Sequence, residues 1–301
     1  MQLRLMKKMA NNTSYLLPFF TILLFITFST TSAEKDDISW EQTSKEVDNL
    51  LYSSTFIDSV KNAHTFSPFN RSIRKLAIHR KQKETLVYEI GWGPVKAGYI
   101  ILSTDFNLAD NTIKLGGKAL SNNFVSAFYK MRDYILSTVD ADGLYPLFFE
   151  QHLREGKKYK ADRWMLFDNS AGKIHIKEKK FKTVETKDFV YDYLSILYYV
   201  RSMKTAPGDT FTLKTYTDSK IHPIYVNCGG KTDIKIDAGT FSCIRLEPKL
   251  AGDGKTFNKK DKLEVFISDD QNRLPVLIKS KIKFGSITAK LIWYELKPLS
   301  Q

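Results

Sequence analysis

The sequence predicts an all-β domain, mainly antiparallel, that forms an open or closed barrel or half-barrel of about 10–13 strands. Apolar and polar residues alternate with a period of two in most segments after residue 84, and short turns separate these segments. The chain also holds 20 Phe and 15 Tyr, residues that favour strands. Residues 188–208 break this pattern and predict one helix, and a helical segment is expected before residue 84.

The first 33 residues have the composition of a cleavable leader. Three cations lie within the first eight residues, an apolar run follows from Leu16 to Phe28, and no acidic residue precedes Glu34. The run is shorter than the roughly 20 residues that span a bilayer. Small residues then allow cleavage after Ala33. We expect a signal peptide at 1–33 and a protein in the periplasm or cell envelope, with an uncleaved anchor as the alternative.

The chain is basic, with a formal net charge of +13. Removal of the leader takes away three cations and no acid, which leaves a net charge of +10. An exported basic protein meets anionic lipid or acidic glycan rather than nucleic acid. We therefore expect no nucleic-acid partner, and the alternative is that the scattered lysines are solvated strand faces.

Residues 34–83 form an extension that differs from the rest of the chain. Its apolar residues between positions 40 and 62 recur at helical spacing, which predicts a helix there. They are Trp40, Val47, Leu50, Leu51, Ile57 and Val60. The stretch 64–80 contains Pro68 and several cations and is typical of a surface connector.

Residues 84–301 form the predicted β-rich domain, and its first strand places Leu86, Tyr88, Ile90 and Trp92 on one face. The next strand, at 95–104, contains Gly98, which predicts a bulge or a close backbone approach. The other predicted strands are 112–120, 127–139, 145–153, 159–168, 173–181, 210–217, 220–228, 231–236, 240–248, 262–268, 274–283 and 285–297.

The predicted helix at 188–208 has Asp188 as its N-cap and ends before Pro207. Its apolar stripe is so wide that most of its circumference must be covered. We expect a buried or lid helix near 188–205. It either completes the core or lines a ligand cavity, with tyrosines such as Tyr193 and Tyr199 at a partly wet rim.

The two cysteines, Cys228 and Cys243, do not form a zinc motif. An exported protein can form a disulfide between them. A turn centred on Asp237 would instead place Cys243 opposite a residue near Ile234. A disulfide and two separate buried thiols both stay open.

Two arginines in apolar surroundings, Arg132 and Arg201, need partners, because an unpaired buried charge is costly. The aspartates that could serve are Asp133, Asp140, Asp269 and Asp270. One interpretation is a buried network that fixes the helix on the sheet, and the other is an anion site built on the two guanidinium groups. The candidate ligand-binding residues are Trp92, Arg132, Asp133, Tyr193, Tyr199, Arg201 and Asp269.

Motifs for catalysis are absent from the sequence. The five histidines are dispersed, and neither an HExxH nor a GxSxG pattern nor a glycine-rich phosphate loop occurs. We expect no catalytic residue, no metal site, no cofactor and no enzymatic activity.

Five stretches in order resemble the bacterial exported family called domain of unknown function 3108. They are residues 84–103, 128–150, 192–202, 237–250 and 263–291. The resemblance covers about residues 84–297 and implies a β-rich, envelope-associated domain without catalytic residues to carry over. The family's recurrent polar positions correspond to Arg132, Asp133, Asp140, Arg201, Asp269 and Asp270. The resemblance does not explain residues 34–83.

Two functions fit these observations. The first is a binding module that holds a lipid or other amphiphile in a barrel gated by the helix at 188–205. The second is a structural or assembly protein that offers strand edges and residues 34–83 to an envelope protein partner. Once its leader is cleaved, neither form is an integral membrane protein.

Overall fold

The computed structural model describes residues 82–217, 220–250, 262–282 and 285–299. The predicted signal peptide at 1–33 and the predicted helix at 40–62 lie outside the described residues. The first strand begins at Gln82, two residues before the predicted start of the β-rich domain.

Within the described ranges, fourteen strands form one antiparallel sheet with two short helices, which confirms the all-β class. The helices are α1 (Asn123–Tyr129) and α2 (Tyr193–Ser202). The strands are β1 (Gln82–Trp92), β2 (Val95–Asn107), β3 (Thr112–Ser121), β4 (Arg132–Asp140), β5 (Pro146–Glu155), β6 (Tyr159–Asp168), β7 (Lys173–Lys177), β8 (Phe181–Glu185), β9 (Thr210–Thr217), β10 (Lys220–Ile236), β11 (Gly239–Leu250), β12 (Lys262–Ser268), β13 (Pro275–Ile282) and β14 (Gly285–Pro298).

The sheet is an open meander in which almost every strand pairs with its neighbours in sequence. Its order is β8-β7-β6-β5-β4-β3-β2-β1-β14-β13-β12-β11-β10-β9. Strand β1 lies in the middle because it pairs with both β2 and β14. The two edge strands, β8 and β9, are consecutive in the chain, and α2 lies in the connection between them. The sheet therefore has a seam at which its two ends are joined by a helix rather than by a strand pair.

The predicted start of one strand is wrong. The predicted strand at 127–139 begins instead at Arg132, because residues 123–129 form α1. The side chain of Asn122 caps this helix by accepting the backbone N–H of Val125 at 2.9 Å. A helix of seven residues is too short for its periodicity to be read from the sequence.

Two of the predicted strands form a single strand, and another predicted strand is divided into two. The segments 220–228 and 231–236 form the single strand β10, which continues through a bulge between Cys228 and Lys231. The segment 173–181 divides into β7 and β8. The merger and the division cancel, and the described sheet has fourteen strands, one more than the upper expectation of about 13.

Helix α2 is shorter than predicted, and Asp188 is not its N-cap. Asp192 is the N-cap, and its Oδ1 accepts the backbone N–H groups of Leu194 and Ser195 at 2.8 and 2.9 Å. The Ser195 hydroxyl accepts the Asp192 N–H in return, which completes a capping box. The residues before the cap are extended, and Tyr191 bridges to Thr215 of the edge strand β9. The helix ends at Ser202, before Pro207 is reached.

The core lies on the inner face of the sheet, where α2 packs. On β1, Leu86, Tyr88 and Ile90 belong to this core, whereas Val87 between them points to the outer face. Leu194 of α2 is fully buried in the same core. The alternation predicted for β1 is confirmed. Helix α2 forms the layer that covers the inner face of the sheet.

The two cysteines are buried free thiols in the structure, so the possible disulfide is wrong. Cys228 lies opposite Leu246, and Cys243 lies opposite Thr232, two residues from the predicted Ile234. Burial raises the pKa of the Cys243 thiol to about 12, so this thiol is protonated at neutral pH.

We predict that Asp192→Ala destabilises the protein by about 1–3 kcal/mol, because two N–H groups of α2 and the Ser137 hydroxyl lose their acceptor. Urea unfolding measures the change. The matched control is Asp188→Ala, in which an exposed ion pair with Lys214 is lost, and its expected effect is below about 1 kcal/mol. Equal effects of the two substitutions would contradict the assignment of the cap.

Candidate functional site

A buried ion pair fixes the C-terminal end of α2 to the sheet. The Arg201 guanidinium donates to both oxygens of Glu84 on β1, at 2.7 and 2.6 Å, and the two side chains are 3% and 4% exposed. Its Nε donates to the carbonyl oxygen of Arg273, in the turn between β12 and β13, at 2.9 Å. The Tyr198 hydroxyl donates to Glu84 at 3.1 Å. We call these four residues the helix clamp.

The charges of the helix clamp stabilise each other. Burial lowers the pKa of Arg201, the Glu84 carboxylate raises it, and the pKa ends above its ordinary value. The guanidinium therefore stays charged, and its bidentate geometry satisfies both carboxylate oxygens. Removing one partner of such a pair leaves an uncompensated buried charge.

The predicted aspartate partners have other roles. Asp140 and Asp270 accept backbone N–H groups of their own turns. Asp269 forms an ion pair with Lys231. Asp133 belongs to the carboxyl pair described below. The predicted Arg–Asp network is wrong, because the acidic partner of Arg201 comes from β1, a residue 117 positions away in sequence that no local pattern connects to it.

Arg132 and Arg201 do not form a joint anion site. The Arg132 guanidinium donates to the carbonyl oxygens of Ser121 and Met131 at 3.1 and 2.7 Å. Arg132 precedes the inward-facing Asp133 on β4 and therefore points to the outer face, whereas Arg201 lies on the inner side.

Asp133 and Glu155 form a buried carboxyl pair. Asp133 Oδ1 accepts the backbone N–H of Arg154 at 2.8 Å, and Glu155 Oε2 accepts the Tyr129 hydroxyl at 2.6 Å. The two other oxygens, Asp133 Oδ2 and Glu155 Oε1, have no other partner among the described residues. Burial and then the Glu155 charge raise the pKa of Asp133, and burial raises that of Glu155. A single proton shared between the carboxyls accounts for both facts. Sequence inspection missed Glu155.

Positive and phenolic side chains meet on the inner side of the seam. Lys182 of β8 lies 5.7 Å from the ring centroid of Tyr216 on β9. Arg163 of β6, next to them, donates to Glu178 at 2.6 Å. The Tyr216 hydroxyl is buried and has no hydrogen-bond partner in the described part of the chain. We call Arg163, Glu178, Lys182 and Tyr216 the seam cluster.

The remaining predicted site residues are distributed over the inner side. Tyr193 donates its hydroxyl to Thr217, next to Tyr216, at 3.3 Å and is the predicted residue closest to the seam cluster. Tyr199 packs against Tyr191, with ring centroids 4.7 Å apart. Trp92 is half-buried at the end of β1 against the core. The structure does not bring all of the predicted residues into one site.

The described ranges contain no group of three or more His, Cys, Asp and Glu side chains that could hold a metal ion. No helix among the described residues is both long and apolar enough to cross a membrane.

We predict that Glu84→Gln costs about 3–5 kcal/mol of unfolding free energy, because Arg201 keeps its charge in a buried position without a carboxylate. Urea unfolding measures the loss. The control Glu89→Gln, on the same strand, removes an ion pair whose lysine, Lys96, is 69% exposed, and it should cost less than about 1 kcal/mol. A similar small loss in both variants would show that the helix clamp does not stabilise the fold.

The carboxyl pair predicts a stability that falls as pH rises. The pKa values of the two carboxyls are higher in the folded protein than in the unfolded chain. At a pH between the unfolded and the folded values, the folded protein therefore binds more protons than the unfolded chain. The stabilisation from the pair is fully present below the ordinary carboxyl pKa of about 4, and it is lost as the pH rises through the raised pKa of the folded protein. Asp133→Asn should flatten this decline, measured by urea unfolding from pH 4 to 8. The control Asp105→Asn changes an exposed carboxylate and should leave the decline unchanged, and parallel curves for wild type and Asp133→Asn would refute the shared proton.

One solved structure agrees with this architecture. A β-barrel-like protein of domain of unknown function DUF1849 from Brucella abortus is 11% identical with a TM-score of 0.53, over 73% of this chain and 99% of that chain. This likeness shows a common fold. A putative exported protein with a YmcC-like fold from Bacteroides fragilis is 12% identical with a TM-score of 0.28, over 71% of this chain and 94% of that chain.

No curated protein matches the sequence. The family model described as Protein of unknown function (DUF3108) matches residues 87–292, which is the larger part of the chain. The resemblance noted in the sequence is confirmed, and the chain belongs to the DUF3108 family.

Proposed function

We propose that this protein is an exported, non-catalytic protein of the cell envelope that binds a lipid or other amphiphile on the inner side of its rolled sheet. The observation that carries the proposal is the seam. Strands β8 and β9 approach each other closely enough for Lys182 to lie over Tyr216, yet they do not pair. A barrel-like sheet with an unpaired seam offers its interior an entrance at that edge.

The chemistry around the seam suits an amphiphile with an anionic head. The inner face is apolar, and the seam cluster adds two cations that share one carboxylate, Glu178. It also adds the buried Tyr216 hydroxyl, which has no partner among the described residues. Buried polar atoms are nearly always satisfied by protein, water or ligand. An anionic or polar head placed between Lys182 and Tyr216 would satisfy this hydroxyl while its chain contacts the core.

Helix α2 is placed to control access to that interior. Its N-terminus is held by the hydrogen bond from Ser137 to Asp192, at 2.6 Å, and its C-terminus is held by the helix clamp. Its buried residues are concentrated at these two ends, and Ile196, Leu197 and Tyr198 between them are only partly buried. The middle turn of α2 is the part that an inserted chain would contact.

The proposal predicts that protein purified without detergent carries an amphiphile in stoichiometric amount, detected by organic extraction and mass spectrometry. Lys182→Ala and Tyr216→Phe should each reduce the amount retained after washing. For Lys182→Ala the expected loss of affinity is about tenfold or more, since a charge-assisted hydrogen bond contributes about 1.5–3 kcal/mol.

The controls for this experiment are Lys173→Ala, which removes an outward-facing lysine of the neighbouring strand β7, and Tyr225→Phe, which changes an exposed phenol. Both should retain the wild-type amount of amphiphile. If wild-type protein from the native envelope releases no amphiphile, the proposal is wrong.

An assembly role is the second candidate, and the free edge of β8 favours it. Phe181, Thr183 and Glu185 of this strand are exposed, and an unpaired edge can accept a strand from a partner protein. A partner bound in this way should be lost on Thr183→Pro, which disrupts edge pairing, and should be retained on Thr183→Ala. Pull-down from solubilised envelopes distinguishes the two functions.

A further inference from the structure

The outer face of the sheet carries an apolar surface that the inner core does not include. One cluster joins β14, β1, β2, β3 and β4, and a second joins β5 and β6. His152 connects them, because its ring stacks on Tyr134 and meets Trp164 edge-on. We call this surface the outer patch. Its central residues are Val87, Leu120, Tyr134, His152, Trp164 and Leu166.

The outer patch is buried more deeply than one side of a bare sheet allows. Val87 is 0% exposed, and Leu120 and Leu166 are each 1% exposed. Side chains on the solvent face of a sheet are screened by their cross-strand neighbours but keep their outer ends in water. Near-complete burial therefore implies a second layer over this face.

The described elements do not supply that layer. Val125 of α1 and Leu194 of α2 both belong to the inner core. The apolar residues at the tip of the β10–β11 hairpin, including Ile234 and Phe241, also pack against that core. Within the described ranges, no further element remains to cover the outer patch.

We propose that residues 34–81 of this same chain dock on the outer patch. This segment ends where β1 begins, at Gln82, and Val87 lies on that strand. The tether keeps the local concentration of the segment high, so that docking needs little affinity of its own.

The dimensions of the segment and the surface agree. The outer patch crosses seven neighbouring strands from β14 to β6, a width of about 29 Å at about 4.8 Å for each strand spacing. The helix that the sequence predicts over residues 40–62 would be about 34 Å long. Its apolar stripe, which includes Val47, Leu50 and Leu51, is the kind of face that packs across a sheet.

Charge also favours this occupant. Residues 34–60 contain seven acidic and two basic residues, in a chain whose net charge is +13. The outer face carries Lys114 and Lys118 on β3 and Lys290 on β14. An acidic segment is attracted to this face, whereas an anionic membrane would be repelled by the segment, and a second copy would place lysines against lysines.

Zero-length carbodiimide cross-linking of the purified protein, as an equal mixture of ¹⁴N and ¹⁵N chains, tests the proposal. Isopeptide bonds should join carboxylates of residues 34–60 to Lys114, Lys118 or Lys290 within one isotopic chain. Cross-links only between isotopically different chains would assign the outer patch to a second copy. Cross-links of residues 34–60 only to lysines elsewhere would also overturn the proposal.

A substitution pair gives an independent readout. Leu50→Glu with Leu51→Glu should expose His152 and raise its rate of diethylpyrocarbonate modification about tenfold or more, which corresponds to about 1.4 kcal/mol of lost docking. Asn49→Glu with Ser59→Glu adds the same charge on the opposite side of the predicted helix and should leave the rate near that of wild type.

Unfolding is distinguished from undocking by the two thiols. Both are buried, Cys228 in a cluster with Val200 of α2 and Cys243 in the core cluster that includes Leu194 of α2, so they stay unreactive toward a thiol reagent if only the outer segment leaves. A leucine variant in which His152 stays protected while the cross-links to β3 and β14 disappear would overturn the proposal.

Discussion

The ion pair between Arg201 and Glu84 is the interaction on which the arrangement of this fold depends. It connects the last turn of α2 to the central strand of a fourteen-stranded sheet, at a point 117 residues away in sequence. The same guanidinium bonds the turn before β13, so one side chain holds the helix against both halves of the meander. A charge this deeply buried is tolerated only with these partners in place, so the position of the helix is coupled to the positions of β1 and of the turn between β12 and β13.

That coupling bears on the weakest feature of the architecture, its two unpaired edges. An open sheet with long exposed edges is prone to aggregation. Here β8 and β9 are consecutive strands, and the segment that joins them keeps the edges near each other. The backbone N–H of Tyr191 donates to the carbonyl oxygen of Lys214, which covers part of the edge of β9. The edge of β8 is short, with five residues, and carries Lys182 and Glu185. The segment that joins β8 to β9 therefore both positions α2 and protects the edges of the sheet.

The sequence predicted correctly the features that depend on neighbouring residues, such as which face of a strand is buried. Alternation along β1 and β2 places Leu86 and Leu102 in the core, as period-two segments require. The N-cap was predicted at Asp188 and lies at Asp192, because both aspartates precede apolar residues and only the capping box with Ser195 distinguishes them. The helix clamp and the carboxyl pair escaped prediction for a different reason, since each depends on strands brought together by sheet order.

The outer patch corresponds to a sequence pattern that the prediction of strict alternation overlooked. Strand β1 contains the run Leu86-Val87-Tyr88, and β2 contains Tyr99-Ile100-Ile101-Leu102, so apolar residues occupy both faces at the centre of the sheet. Strands that are covered on both faces have such continuous apolar runs, whereas strands with one wet face alternate strictly. Strand β7, Lys173–Lys177, near the edge, alternates strictly and has lysines on its outer face. The change from continuous to alternating strands thus follows the limits of the outer patch, and a segment docked across β14 to β6 would account for where the change occurs.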